Sequence, residues 1–299
     1  MKIKSNTTCP ICHGYRVSYY VSCQDNFTTE EVFKLYQCDN CQLLFTKDAP
    51  TPNQMERYYS SINYISHTNT NQGAINKIYH LVRSYMLKRK VKLVEKYSNT
   101  KKGKLVDIGA GIGLFCQAMQ ETNWKTIGIE PSKAAREYAQ KQFNIKLETN
   151  NYWESIAAGS IDTITLWHVL EHIPNLNETL EKINQALKSN GTLILALPNY
   201  TSYDAQVYKQ DWAAYDVPRH LWHFSPEGIN KLLKSHSFTL KLMKRMPFDA
   251  FYISMMSEKN RGTSFPLIKG FWRGLLGGGS ALFNKKASSS LIYIFKKNS

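Results

Sequence analysis

The stretch Val106 to Gly113, Val-Asp-Ile-Gly-Ala-Gly-Ile-Gly, constrains this chain more than any other. Lys104-Leu105 precede it and Leu114-Phe115-Cys116 follow, so a short apolar strand must turn at once into a helix. Such a turn, with a ligand closing on its backbone, needs residues without a Cβ, and the helix start then offers unpaired N–H groups. Gly109, Gly111 and Gly113 meet that need. The next apolar strand, Lys125 to Ile129, ends in Glu130, after which Pro131-Ser132 restart a helix. A carboxylate at that strand end can accept hydrogen bonds from two hydroxyls of a ligand. The spacing Asp-x-Gly-x-Gly-x-Gly differs from the GxGxxG of dinucleotide binders.

Strand and helix patterns alternate through the rest of the chain. Strands are expected near 104–109, 125–130, 145–148, 162–167, 191–198, 238–246 and 291–295, with helices near 73–97, 112–122, 132–142 and 176–188. Such alternation predicts a mainly parallel sheet with helices on both faces and ligands at the carboxyl ends of its strands. In these motifs the chain resembles class I S-adenosylmethionine (SAM) dependent methyltransferases. The resemblance implies a Rossmann-like, seven-stranded sheet and a SAM site. Asp107 would lie near the methionine amino group, Gly109, Ala110, Gly111 and Gly113 would close on the methionyl part, and Glu130, followed by Pro131, would accept the ribose hydroxyls. Trp167 and His168, at the end of the fourth strand, would lie beside the transferring methyl group.

Near the N-terminus, Cys9-Pro-Ile-Cys12 and Cys38-Asp-Asn-Cys41 are separated by 25 residues. Paired CxxC knuckles supply four thiolates for one zinc ion, and a hairpin between them would accommodate the gap. Four cysteines close the coordination shell, so the metal would hold the module together and do no chemistry. Cys23 and Cys116 stay unpaired, and no secretory segment is read at Met1-Lys2-Ile3-Lys4. The expected organisation is a zinc-ribbon-like module over 1–50, a linker over 51–74 and the methyltransferase domain over 75–299, with insertions at about 199–224 and 247–288. Zinc knuckles followed by Tyr58, Tyr59 and Tyr64 also resemble the N-terminal part of sugar C-methyltransferases, which implies a substrate-side role for Tyr64.

After the fourth strand comes His168-Val-Leu-Glu171-His172. It resembles the Glu-x-x-Glu-His of quinone O-methyltransferases, which can hold a divalent metal. Here His168 replaces the first Glu, and whether a metal binds stays open. The insertion from Lys209 to Glu227 holds more His, Trp, Arg and Asp than a connector needs. Its Arg219-His220-Leu221 resembles the Glu-His-Leu of sugar C-methyltransferases, where the His is the base, although Arg219 stands where that family has Glu. An imidazole with an ordinary pKa near ~6.5 can accept a proton at neutral pH. The candidate catalytic residues are therefore His220 and His168, with Tyr64, Glu171, His172, Arg219 and His223 on the substrate side.

The net charge of +15 is uneven. From Arg83 to Lys104 there are nine Lys or Arg against Glu95 alone, and from Lys259 onward there are eight and no acid. Phe265 to Phe283 combines large apolar residues with Lys269 and Arg273, and reads as a lid or packing helix, with a membrane-surface segment as the alternative. The composition predicts a soluble, cytoplasmic protein, with peripheral membrane contact through that segment the other option. The expected function is methylation of a small molecule, whether a nucleotide-linked sugar, a saccharide or a quinone-like compound. One rival is an RNA methyltransferase using the basic surfaces and the zinc knuckles; against it, Trp167-His168-Val169-Leu170 stands where base-amino methyltransferases place Asn or Asp, then Pro-Pro and an aromatic. The other rival is a non-catalytic SAM-binding module.

Overall fold

The computed structural model describes residues 8–59, 74–100 and 102–299. Tyr64 lies outside them. The N-terminal strands β1 (Val17–Gln24), β2 (Val32–Cys38) and β3 (Leu44–Lys47) form an antiparallel meander, followed by helix α1 (Pro52–Tyr59) and the long helix α2 (Ala74–Tyr97). The alternating unit then runs β4 (Lys104–Ile108), α3 (Leu114–Glu121), β5 (Lys125–Ile129), α4 (Lys133–Phe143), β6 (Ile161–Trp167), α5 (Leu176–Ala186) and β7 (Leu187–Pro198). Next come α6 (Tyr203–Tyr208), the short strand β8 (Trp222–His223), α7 (Pro226–Ser235) and β9 (Phe238–Arg245). Two helices, α8 (Asp249–Asn260) and α9 (Pro266–Phe283), precede the last strand, β10 (Ser290–Lys297).

The main sheet has the order β5-β4-β6-β7-β10-β9. Strands β5, β4, β6 and β7 are parallel, and β10 runs antiparallel between β7 and β9. Leu105, Val106, Ile164, Leu166, Leu193 and Leu195 are fully buried, as strands covered on both faces require. This is a Rossmann-like α/β methyltransferase fold with a mostly parallel sheet. Where a seventh strand was expected at 145–148, the described residues show one bridge, Ile129 to Glu148. The Glu130 N–H donates to Glu148 O and the Glu148 N–H to Gly128 O. The next groups on that edge are used elsewhere, the Ser132 N–H by Glu130 Oε1 and the Glu130 carbonyl by Arg136, so the ladder stops there.

The helix starts follow local chemistry. Ser132 Oγ accepts from Ala135 N at α4, and Ser225 Oγ accepts from Gly228 N at α7, where Pro226 takes the first helical position.

The N-terminal module is tied into the rest of the chain. Strand β8, from the insertion after β7, adds to the meander through Leu44 opposite His223 and Phe45 opposite Trp222. The same hydrophobic cluster contains Cys9, Cys38, Leu43 and Phe45 together with Leu195, Phe224 and Ile229. The expected boundary at residue 50 is thus bridged by a strand and by a shared core.

Candidate functional site

The glycine turn after β4 has the left-handed backbone that its sequence suggests: φ is +68° at Gly109, +56° at Gly111 and +78° at Gly113. A Cβ at Gly109 would lie 2.4 Å from Val169 Cγ2, whereas a Cβ at Gly111 would meet nothing within 4 Å. The first glycine is needed for packing against the segment after β6. The second leaves an open cradle beside the backbone.

Two carboxylates frame that cradle. Asp107 is buried at the end of β4, in register with Gly128 and Thr165, and its Oδ1 accepts from Thr165 Oγ1 at 2.6 Å. Burial pushes its pKa up to about 7, against the hydrogen bond from Thr165 and the nearby charge of Lys90. Glu130 receives the Gly111 N–H on Oε2 and the Ser132 N–H on Oε1, each at 2.8 Å. Burial raises its pKa also, in spite of those two donors. Each oxygen keeps further acceptor capacity for a ligand hydroxyl. Lys90, on α2, has its ammonium 4.4 Å from the Trp167 ring centroid, and burial lowers its pKa while Asp107 and Asp249 favour its charge.

The segment after β6 and the insertion after β7 meet at the same strand ends. His168 has the left-handed φ of +59°, unusual for a side chain with a Cβ. Its Nε2 is 3.1 Å from Asp249 Oδ2 and its Nδ1 3.5 Å from Glu171 Oε1. Burial opposes its charge, but the two carboxylates prevail and raise its pKa to about 10. His168 is thus an imidazolium at neutral pH, with no lone pair to take a proton.

His172 and His220 are different. Their rings meet edge to face at 4.5 Å. His172 Nδ1 is 3.0 Å from Arg219 O and 3.2 Å from Tyr59 Oη. Burial, reinforced by the neighbouring His220, lowers the His172 pKa to about 4. His220 Nδ1 is 2.9 Å from Ala214 O. A carbonyl only accepts, so that bond fixes the proton on Nδ1 and leaves the lone pair of the neutral ring on Nε2. Asp216 Oδ2 lies 3.9 Å from that Nε2.

Glu171 is buried against these rings, and among the described residues neither of its oxygens receives a hydrogen bond. Burial pushes its pKa up, yet His168, with His220 and His172 when they are protonated, brings it below the ordinary glutamate value. One ligand atom each from Glu171, His172 and His220 lies within 4.8 Å of the others, a spacing that a divalent cation could bridge.

Two residues expected on the substrate side are placed otherwise. Arg219 is 2% exposed, and its guanidinium donates to Asp25 Oδ1 at 3.0 Å, Asp216 Oδ1 at 2.6 Å and Tyr58 O at 2.9 Å. It clamps the N-terminal module to the insertion, and four of its five N–H donors are used there. His223 sits in β8 with Nε2 3.2 Å from the Thr46 hydroxyl, and burial drives its pKa down. The strand pairing that unites the two sheets turns it into the interior. Within the described part of the tyrosine run it is Tyr59 that reaches His172. Sequence reasoning missed Lys90 and Asp249. One is a lysine in a lysine-rich helix, and the other opens a helix with no motif around it.

The four knuckle cysteines converge. Cys9 Sγ is 3.6 Å from Cys41 Sγ and Cys12 Sγ 3.5 Å from Cys38 Sγ, and one sulfur of each lies within 4.8 Å of all the others. Tetrahedral zinc with Zn–S of ~2.3 Å has S···S edges of about 3.8 Å, whereas a disulfide needs ~2.05 Å. The sulfurs have the spacing of a metal shell.

This fold and site define a class, and comparison with known proteins gives the same one. A family profile described as a methyltransferase domain matches residues 80–241, more than half of the chain. The chain belongs to this family, the SAM-dependent methyltransferases of class I. It is 27% identical over 164 residues to the mitochondrial ubiquinone biosynthesis O-methyltransferase of Homo sapiens, covering 50% of this chain and 44% of that one. The ubiquinone biosynthesis O-methyltransferase of Rickettsia typhi is 24% identical over 192 residues, covering 59% of this chain and 75% of that one. The chain spans about half the length of the curated relatives it matches first. Among solved structures, a putative sarcosine dimethylglycine methyltransferase from Galdieria sulphuraria superposes with a TM-score of 0.50 at 13% identity, covering 73% of this chain and 86% of that one. That likeness concerns the fold.

Proposed function

We propose that this chain transfers a methyl group from SAM to a hydroxyl of a small, quinone-like or saccharide acceptor, with His220 as the base. The observation that supports the reading is the fixed tautomer of His220: Nδ1–H is held by the Ala214 carbonyl, so Nε2 keeps its lone pair, in the cluster with His172 and Glu171 that follows β6. SAM, when bound, supplies an electrophilic methyl group on a sulfonium sulfur. Asp107 would take the amino group, Glu130 the ribose hydroxyls and Lys90 the carboxylate, and open space at Gly111 fits a ligand against the backbone. His220 would accept the acceptor's hydroxyl proton, and Asp216 would stabilise the resulting imidazolium. His168, already charged, would orient Glu171 and Asp249 as a positioning residue.

The names of the ubiquinone-pathway relatives support an O-linked small-molecule acceptor over RNA, and the imidazole cluster supports an active enzyme over a non-catalytic binding module. The cysteine cluster is proposed as a structural zinc site, on its sulfur spacing. Label transfer from methyl-tritiated SAM to cell-extract metabolites would identify the acceptor. His220→Ala should then lower turnover by ~10²-fold while SAM affinity and folding persist. Unchanged turnover in the folded variant would remove His220 from the reaction.

A further inference from the structure

Helix α9 buries the side of itself that a soluble helix would expose. The residues turned toward the protein are Gly270, Gly274, Gly277 and Ala281. A Cβ at Gly270 would lie 2.4 Å from Met255 Cα, and one at Gly274 2.7 Å from Phe251 Cα, so α9 sits directly against the backbone of α8. The large apolar residues are turned outward, Phe271 at the shoulder where its ring also meets Phe251 of α8 at 5.4 Å. Leu267, Ile268, Phe271, Trp272, Leu275 and Leu276 are 47–61% exposed. At 100° per residue they occupy one broad arc opposite the glycine seam, and Lys269 and Arg273, both exposed, lie together along one edge of it.

A lid or packing helix would turn Trp272 and Leu276 inward. The glycine seam prevents that, because rotating the helix would push bulky side chains against the backbone of α8. Small residues at the helix contact and large apolar residues outside is the arrangement used where the surroundings are lipid, whereas in water such a patch marks an interaction surface. The charge on the helix selects the partner. From Pro266 to Phe283 the charged residues are Lys269 and Arg273, both exposed, with no acid among them. Of the other basic residues from Lys259 onward, Arg261 is paired with Asp211 and Lys286 with Glu227, and Lys296 and Lys297 are bonded within the main sheet. Among the described residues no helix is long and apolar enough to cross a membrane.

We infer that the outer face of the α8–α9 hairpin docks in the plane of an anionic lipid bilayer, its apolar arc among the acyl chains and Lys269 and Arg273 at the headgroups. The hairpin's root is at the candidate site, since Asp249 opens α8 and pairs with His168. Docking would hold that site at the bilayer surface. The inference rests on the hairpin alone and does not depend on the acceptor or on catalysis.

The test is flotation of the full chain with vesicles of phosphatidylcholine alone and of phosphatidylcholine containing phosphatidylglycerol. The expected result is binding to the anionic vesicles, weakened about tenfold or more in an Ile268→Ser/Trp272→Ser/Leu276→Ser variant. A Lys269→Glu/Arg273→Glu variant should lose the preference for anionic lipid. Circular dichroism and thermal melting should be unchanged in both, because the substituted side chains are exposed; should the triple variant misfold, the charge variant alone decides. Absence of vesicle binding by the parent chain overturns the inference. So does vesicle binding that neither variant alters. Concentration-dependent dimerisation abolished by the triple variant, without vesicle binding, would assign the face to a second copy of the chain instead.

Discussion

The raised pKa of Asp107 makes cofactor affinity depend on pH. In the free protein the carboxylate is 2% exposed and its pKa is about 7, so desolvation outweighs Thr165 and Lys90. If Asp107 takes the cofactor's ammonium group, only its ionised form binds well, and binding below pH 7 must release the proton it carries. With a pKa of about 7, roughly three quarters of the carboxylate is ionised at pH 7.5 and about 3% at pH 5.5, which predicts a ~25-fold loss of affinity, or ~1.9 kcal/mol. Isothermal calorimetry with S-adenosylhomocysteine would measure it. Repeating the titration near pH 6 in two buffers of different ionisation enthalpy should report release of close to one proton. Asp107→Asn should weaken binding at pH 7.5 by ~1.5 to 3 kcal/mol and flatten most of the slope, leaving the smaller contribution of Glu130, whose pKa is also raised. An affinity independent of pH between 5.5 and 7.5, or an undiminished slope in Asp107→Asn, would refute the reasoning.

Purified, reduced protein should contain one zinc per chain, and Cys38→Ser should lower the stability of the whole chain and not of the N-terminal module alone, because β8 and the shared core couple the two; metal analysis and thermal melting check this. Arg219→Ala should cost ~3 to 5 kcal/mol in denaturant unfolding, since it leaves the fully buried Asp25 without its cation; a loss below ~1 kcal/mol with an altered KM would restore Arg219 to the acceptor site. The His168 pKa is raised from 6.5 to about 10, so its pairing with Asp249 and Glu171 contributes stability fully below pH 6.5 and loses it as pH rises toward 10. Thermal melts over that window should show an alkaline decline that is reduced in His168→Gln.

The glycine turn and the carboxylate beside it were legible in the sequence because they are local. The glycines at 109, 111 and 113 are needed for a strand-to-helix turn, and Glu130 closes the next strand, so each role depends on a few adjacent residues. The cysteine knuckles are legible for the same reason, since metal ligands come in short fixed spacings. The fold class followed from the alternation of strand and helix, which records burial on two faces.

What the tertiary structure decided is how distant polar groups pair. Arg219 and His223 look like acceptor residues in a His-rich insertion, but β8 pairs with β3 and carries them into the join between the sheets, where Asp25 and Thr46 occupy their polar atoms. The charge of His168 depends on Asp249, 81 positions further along, and the tautomer of His220 on a backbone carbonyl. No spacing rule encodes such contacts. In α9 the sequence shows an apolar helix with five glycines; only packing shows that Gly270, Gly274 and Gly277 face inward and the large side chains face out, because helical periodicity fixes which residues share a face and not which face a neighbour covers.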